Sequence, residues 1–281
     1  MKYGVIVNNF KKTTKEGIKI AHSLGFDGIQ FDVTFGDLSP ENINDGIKKD
    51  YLKILKDYHL EVSALLGDMG GFGYQIEKDN PERVERTKRI IDLCEVFNTK
   101  VVTTHIGVIP KDKNEPRYKV MLDALTECGL YAKSKGVVMA IETGPETPET
   151  LLQFIEDTKG GVGVNLDPAN LVMVTDVDPV AAVYTLKDYI VHTHVKDGVL
   201  LKKTDPKIIY DHFAVGGIDG LNHKDYFKET PIGEGNVDFV KYISALKEIG
   251  YQGYLTIERE AGNDSIKDIS KALKYIKSIV G

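Results

Sequence analysis

Residues 137–167 read VVMAIETGPETPETLLQFIEDTKGGVGVNLD, and they hold one repeat of the pattern that decides the fold. Two short apolar runs, 137–142 and 161–166, flank a stretch of helical length; Glu142 closes the first run and Asp167 follows the second. Strand, helix and strand in this order are the mark of a parallel sheet with crossover helices. Working outward, the same alternation persists to both ends of the chain, with further strand candidates at 3–8, 27–33, 61–66, 100–105, 189–195 and 253–258. Eight strands and their helices close into a barrel of typically about 250 residues. The 281-residue chain is therefore expected to be an α/β protein, one (β/α)8 barrel domain over residues 1–281, with a long irregular loop at about 196–236.

The helices carry their own signals. Ile47, Tyr51, Ile54, Leu55 and Tyr58 recur at i, i+4, i+7, i+8 and i+11, which sets one apolar face against a sheet. Asn80-Pro81 and Asp178-Pro179 each read as an N-cap followed by a first-turn proline. Leu24-Gly25-Phe26-Asp27-Gly28 is echoed by Ile249-Gly250-Tyr251-Gln252-Gly253, two equivalent joints in which a glycine ends a helix and a second precedes a strand.

Composition narrows the function. No apolar stretch approaches the roughly 20 residues that span a bilayer, so no membrane partner is expected. Strand-like sequence begins at Tyr3 without an export signature, which points to a cytoplasmic location. Cys94 and Cys128 are the only cysteines, are not spaced as CxxC and read as packing residues. A net charge of −6 without a basic cluster argues against a nucleic acid partner and favours a small molecule.

In a barrel the chemistry sits at the C-terminal ends of the strands. The fifth strand ends Met139-Ala140-Ile141-Glu142, the sixth runs into Asn165-Leu166-Asp167, the seventh reads His192-Thr193-His194, and the eighth ends Thr256-Ile257-Glu258. Glu142 precedes Asp167 by 25 positions and Asp167 precedes His194 by 27, each about one strand-helix unit, so the residues arrive at one height. Three carboxylates brought together in a barrel mouth repel unless a cation compensates them. Glu142, Asp167, His194 and Glu258 are thus expected to hold one divalent metal, Mn²⁺ first, with Mg²⁺, Co²⁺ or Zn²⁺ as alternatives. The competing reading is of strand-end polar residues bonded to neighbouring loops. His192 and His194 share one strand face, and His194, nearer the mouth, is the preferred ligand.

The stretches Val164-Asn165-Leu166-Asp167-Pro168-Ala169-Asn170-Leu171, His192-Thr193-His194-Val195-Lys196-Asp197-Gly198, Pro231-Ile232-Gly233-Glu234-Gly235 and Leu255-Thr256-Ile257-Glu258-Arg259-Glu260 resemble the xylose isomerase-like TIM barrel superfamily, which includes sugar phosphate isomerases/epimerases, ketose 3-epimerases and inosose enzymes. The resemblance implies the same four metal positions and makes Glu142 and Glu258 the catalytic pair. One removes the proton between a carbonyl and its neighbouring hydroxyl, and a cis-enediolate results. Return of the proton by the other epimerises the carbon, and return to the adjacent carbon isomerises the sugar. The epimerases carry a substrate-binding histidine where this chain has Asn170, an amide that still hydrogen-bonds a hydroxyl. The nuclease branch needs further histidines that Ala64-Leu65-Leu66-Gly67-Asp68 and Lys228-Glu229-Thr230 do not supply.

His105, at the end of the fourth strand, is expected to touch substrate together with Asn170, Lys196 and Glu260; Lys196 and Glu260 have the alternative of pairing with each other. Arg259 points away from them, and Gly233 with Gly235 reads as a plain turn before a phosphate cradle. The expectation is a metal-dependent epimerase or isomerase of a keto sugar or sugar phosphate. A dehydratase or lyase on an inosose or 3-keto sugar is the alternative, with an abasic-site endonuclease or a non-catalytic carbohydrate-binding barrel more remote. A homodimer is compatible with the sequence, although no exposed stripe calls for one.

Overall fold

Strands buried on both faces want β-branched and apolar side chains along their whole length, whereas a surface strand alternates. The runs of valine, isoleucine and leucine follow the first rule. A computed structural model, which describes residues 1–280, places them in β1 (Lys2–Ile6), β2 (Gly28–Asp32), β3 (Glu61–Leu66), β4 (Val101–Thr104), β5 (Val138–Glu142), β6 (Val162–Leu166) and β7 (Ile190–Val195). After β7 come β8 (Asp197–Leu200) and β9 (Phe227–Thr230), an antiparallel pair outside the ring. The last strand, β10 (Tyr254–Ile257), pairs in parallel with β7 on one side and β1 on the other and closes the eight-stranded barrel. This is the expected α/β fold, a (β/α)8 TIM barrel.

The helices are α1 (Thr14–Leu24), α2 (Asp45–Asp57), α3 (Asn80–Val96), α4 (Pro116–Ser134), α5 (Pro148–Asp157), the one-turn α6 (Pro168–Asn170), α7 (Pro179–Thr185), α8 (Pro206–Ala214), α9 (Phe239–Glu248) and α10 (Ser265–Val280). Tyr51 and Leu55 of α2 are buried and Ile47, Ile54 and Tyr58 pack beside them, as the periodicity requires. Asp178 caps α7 by accepting from the Val180 N–H. Asn80 does not cap α3: its side-chain amide donates to the carbonyls of Tyr74 and Val120, and Asp79 occupies the cap position without a side-chain bond. Cys94 and Cys128 are free and buried within α3 and α4. Among the described residues no helix is long and apolar enough to cross a membrane.

The two echoed joints behave alike for a reason the sequence only half shows. Gly25 (φ 83°) and Gly250 (φ 79°) lie in the left-handed region. Gly28 and Gly253 do not; each is bare because a tyrosine ring, from Tyr254 and Tyr251 respectively, occupies the space of a side chain.

The larger departure lies at 196–236, which is structured, not irregular. β8 and β9 lie side by side, Leu200 opposite Phe227, and carry α8 between them as an insert above the barrel mouth. Asp197 pins this insert. Its carboxylate accepts four backbone N–H groups, from Gly198, Gly233, Gly235 and Val237. The Pro231–Gly235 turn is therefore filled by a side chain of the protein itself.

Candidate metal centre and active-site cavity

Each of the four strand-end residues reaches the barrel mouth by a local route. Glu142 is the last residue of β5. Asp167 follows β6 and caps α6, with its Oδ1 accepting from the N–H groups of Ala169 and Asn170. Spending one oxygen on the cap leaves Oδ2 fully buried and without a hydrogen-bond partner. His194 comes from the inward face of β7, and Glu258 follows β10. One ligand atom from each of the four lies within 4.8 Å of all the others, and all four residues are buried.

His194 Nδ1 is 2.8 Å from Glu258 Oε2, 3.5 Å from Glu142 Oε1 and 3.9 Å from Asp167 Oδ2. Its other nitrogen, Nε2, faces Gln30 Oε1 at 3.2 Å. The same oxygen lies 3.1 Å from His192 Nε2, and Gln30 is held in turn by its amide donating to Thr103. An acceptor shared by two imidazoles fixes their orientation and turns Nδ1 of His194 toward the carboxylates, as a hydrogen bond at the other ring nitrogen does for metal-binding histidines. His192 sits one layer lower, 1% exposed, and burial together with the charge of His194 holds its pKa well below the usual histidine range.

The electrostatics of the cluster are those of anions seeking a cation. Burial opposes a charge on His194 and Lys196, yet Glu142 and Glu258 hold the imidazole, and Glu258 and Glu260 the ammonium, well above their usual pKa ranges. For Glu258, burial pushes the other way but Lys196 and His194 keep its carboxyl below its usual value. Buried Asp167 Oδ2 lacks a hydrogen bond, a costly state for a carboxylate oxygen. Three carboxylates and one imidazole directed at one point, with Asp167 Oδ2 bare among them, fit a divalent metal with hard-ligand preference.

Glu142 and Glu258 of this cluster line the floor of a cavity of about 320 Å³. His105, Asn170, Lys196 and Glu260 all line it. Asn170 donates to Glu142 Oε1 at 3.0 Å and so steadies that carboxylate. Lys196 lies 3.0 Å from Glu260 and 3.4 Å from Glu258; the pairing offered as the alternative in sequence is present, with Glu260 at the solvent rim. Arg259 turns outward to Glu229 and Asp268.

Sequence reasoning missed several wall residues. Asp68, at the end of β3, accepts from His105 Nδ1 at 3.0 Å, which leaves His105 Nε2 3.7 Å from Glu142. Burial alone would lower the His105 pKa, but Glu142 and Asp68 push it up to about 10. The opposite wall is apolar, built from Met173, Phe227 and, on α8, Ile209 and Phe213, with Tyr210 between them. The only available sign was apolar spacing inside a segment taken for a loop.

The sequence matches the family described as "Xylose isomerase-like TIM barrel" over residues 18–279, and the chain belongs to that family. An inosose dehydratase of Clostridium beijerinckii is 26% identical over 178 residues, covering 60% of this chain and 56% of the relative. A xylose isomerase-like TIM barrel protein from Mycobacterium smegmatis in complex with magnesium superposes with a TM-score of 0.72 at 18% identity, over 99% of this chain and 96% of the other. A D-allulose 3-epimerase from Methylomonas sp. in complex with D-allulose gives 0.70 at 18% identity, over 99% and 96%.

Proposed function

We propose that the protein is an enzyme that moves a proton beside the carbonyl of a small, uncharged keto sugar, with a divalent metal held by Glu142, Asp167, His194 and Glu258. The observation that carries this reading is the convergence of two glutamates, from strands three apart in the ring, on one buried point at the floor of a sugar-sized cavity. When bound, the cation supplies Lewis-acid polarisation of a chelated carbonyl and hydroxyl. Glu142 or Glu258 takes the proton from the hydroxyl-bearing carbon beside the carbonyl; its return by the other glutamate to the opposite face of that carbon epimerises the sugar, and its return to the former carbonyl carbon isomerises it. An uncharged substrate is favoured because the cavity lining contains no arginine and its two cationic side chains, Lys196 and His105, are already engaged by carboxylates. The magnesium and D-allulose complexes of the structural neighbours agree with this reading.

One observation favours dehydration as a second reading. His105, its Nδ1 held by Asp68 and its pKa pushed up to about 10, stands with Nε2 3.7 Å from Glu142, where it can give a proton to a leaving group. After proton removal by a glutamate, the carbon–oxygen bond at the β position breaks, and the hydroxide leaves as water with the proton of His105. The inosose dehydratase relative is consistent with it.

Incubation with ketoses, ketose phosphates and inososes in D₂O with Mn²⁺ separates the two. Deuterium beside the carbonyl at conserved mass means epimerisation or isomerisation, and loss of water means dehydration. Glu142→Gln and Glu258→Gln should each slow exchange by roughly 10²–10⁴-fold, and chelation of the metal should abolish it. Binding of sugar without exchange in the wild-type protein would overturn proton transfer as the function.

A further inference from the structure

Tyr210 stands apart from every other polar side chain that lines the cavity. Lys196 gives its protons to Glu258 and Glu260, the Asn170 amide donates to Glu142 and the Thr143 carbonyl, Gln75 donates to the Phe72 carbonyl, and His105 Nδ1 is taken by Asp68. The Tyr210 hydroxyl makes no hydrogen bond to any described residue. It lies between the ends of β4 and β5, its ring 6.0 Å from that of His105. Glu142, Glu146, Asp167 and Lys196 all act on it electrostatically, and burial with these carboxylates keeps the phenol neutral.

The protein makes room for this hydroxyl deliberately in the steric sense. A Cβ at Gly144 would overlap the Tyr210 oxygen and lie 2.8 Å from its ring carbon Cζ. Gly144 is two residues beyond Glu142, so the bare backbone beside the catalytic strand end is what admits the phenol. On α8, Ile209 is buried and holds the helix down, with Tyr210 the next residue and Phe213 one turn on at the mouth. The cavity offers a sugar many acceptors, in Asp68, Glu229 and Glu260, but few free donors besides His105 Nε2. A neutral hydroxyl with an unspent proton supplies what is lacking.

We propose that Tyr210 is a substrate-contacting, specificity-determining residue whose phenol donates a hydrogen bond to an oxygen of the bound sugar, and that Gly144 exists to place it. The proposal rests on the reading of the cavity as a sugar site. Its test is calorimetric titration of the Mg²⁺-loaded full-length protein with D-allulose and with an inosose, followed by steady-state kinetics on whichever is turned over. Tyr210→Phe should weaken binding roughly 3- to 15-fold, the loss of one hydrogen bond, and raise KM with kcat nearly unchanged. Mg²⁺ affinity and Tm should not move. Gly144→Ala, which displaces the hydroxyl, should show a loss of similar size, and the double variant should be no worse than either single one, because both remove the same contact.

Tight sugar binding by Tyr210→Phe, or additive losses in the double variant, would overturn the contact while leaving the sugar site intact. Failure of the wild-type protein to bind any sugar would instead overturn the functional reading, and this contact with it.

Discussion

Glu146 is a carboxyl in an awkward place. It is 5% exposed and accepts a hydrogen bond from the Ile109 N–H at 2.8 Å; burial pushes its pKa up to about 7, against the opposing pull of that bond and of the His105 charge. Below about pH 4 the group is protonated in both folded and unfolded chains and contributes nothing to the pH dependence. As pH rises, the unfolded chain releases the proton first while the folded protein retains it, so stability falls until the folded group also ionises near 7. Glu146→Gln keeps an acceptor for Ile109 and removes the titration. The variant should match the wild type near pH 4 and exceed it by up to roughly 3 kcal/mol near pH 8. Urea denaturation at the two pH values measures this, and a gain equal at both would show that burial of the ionised form is not the cause.

At the scale of elements, the insert after β7 depends on Asp197. Four backbone N–H groups end on this one carboxylate, tying the start of β8 to the turn after β9. Asp197→Ala leaves those donors unpaired and should cost at least roughly 3 kcal/mol. Hydrogen exchange should then find Gly233, Gly235 and Val237 unprotected, whereas retained protection would mean that the turn stands without its acceptor.

This insert also marks where the sequence stopped being legible. The barrel strands could be found within one or two residues at most ends, because both of their faces are buried and the apolar runs have no choice of partner. β9, by contrast, is Phe227-Lys228-Glu229-Thr230, short and largely polar with one side toward solvent, and it has no pattern that distinguishes it from a loop. The four clustered acidic and histidine residues were readable because each closes or follows an apolar strand run, the first three at spacings of 25 and 27 and the last separated by the insert. Asp68 and Tyr210 were not, since both enter the cavity by tertiary contact: one was visible only as the absence of a nuclease ligand, and the other lay in the misread insert. Asn80 shows the reverse error, a residue of the right type in the right place whose side chain found better partners in Tyr74 and Val120.

For the whole molecule, the close-packed β1–β10 seam and the carboxylate–histidine cluster occupy opposite ends of the barrel. At the N-terminal end, the β1–β10 seam is overlaid by the Tyr254 ring, which sits on Gly28, and by Glu61, which binds both Lys2 and the Tyr254 hydroxyl. The Lys2–Glu61 pair is half exposed and contributes little, but the ring over Gly28 is close packing. Gly28→Val drives a side chain into that ring and should cost about 1–3 kcal/mol. Calorimetry should find a lower Tm while metal affinity at 25 °C stays the same, because Glu142, Asp167, His194 and Glu258, the proposed ligands, lie at the far end of the strands. Loss of metal binding in a folded variant would show that the two ends are coupled.

The pairing of β8 with β9 has a consequence for how such a barrel changes its clientele. The Leu201 and Lys202 N–H groups both donate to the Tyr226 carbonyl, so the intervening stretch leaves and rejoins the scaffold at adjacent points. A piece of chain with its ends already clasped can grow, shrink or be traded for another at small entropic expense. One wall of the cavity is thus a detachable cassette and the floor is permanent: descent, or a protein engineer, can graft a new selectivity onto old chemistry by exchanging two dozen residues and leaving the barrel untouched.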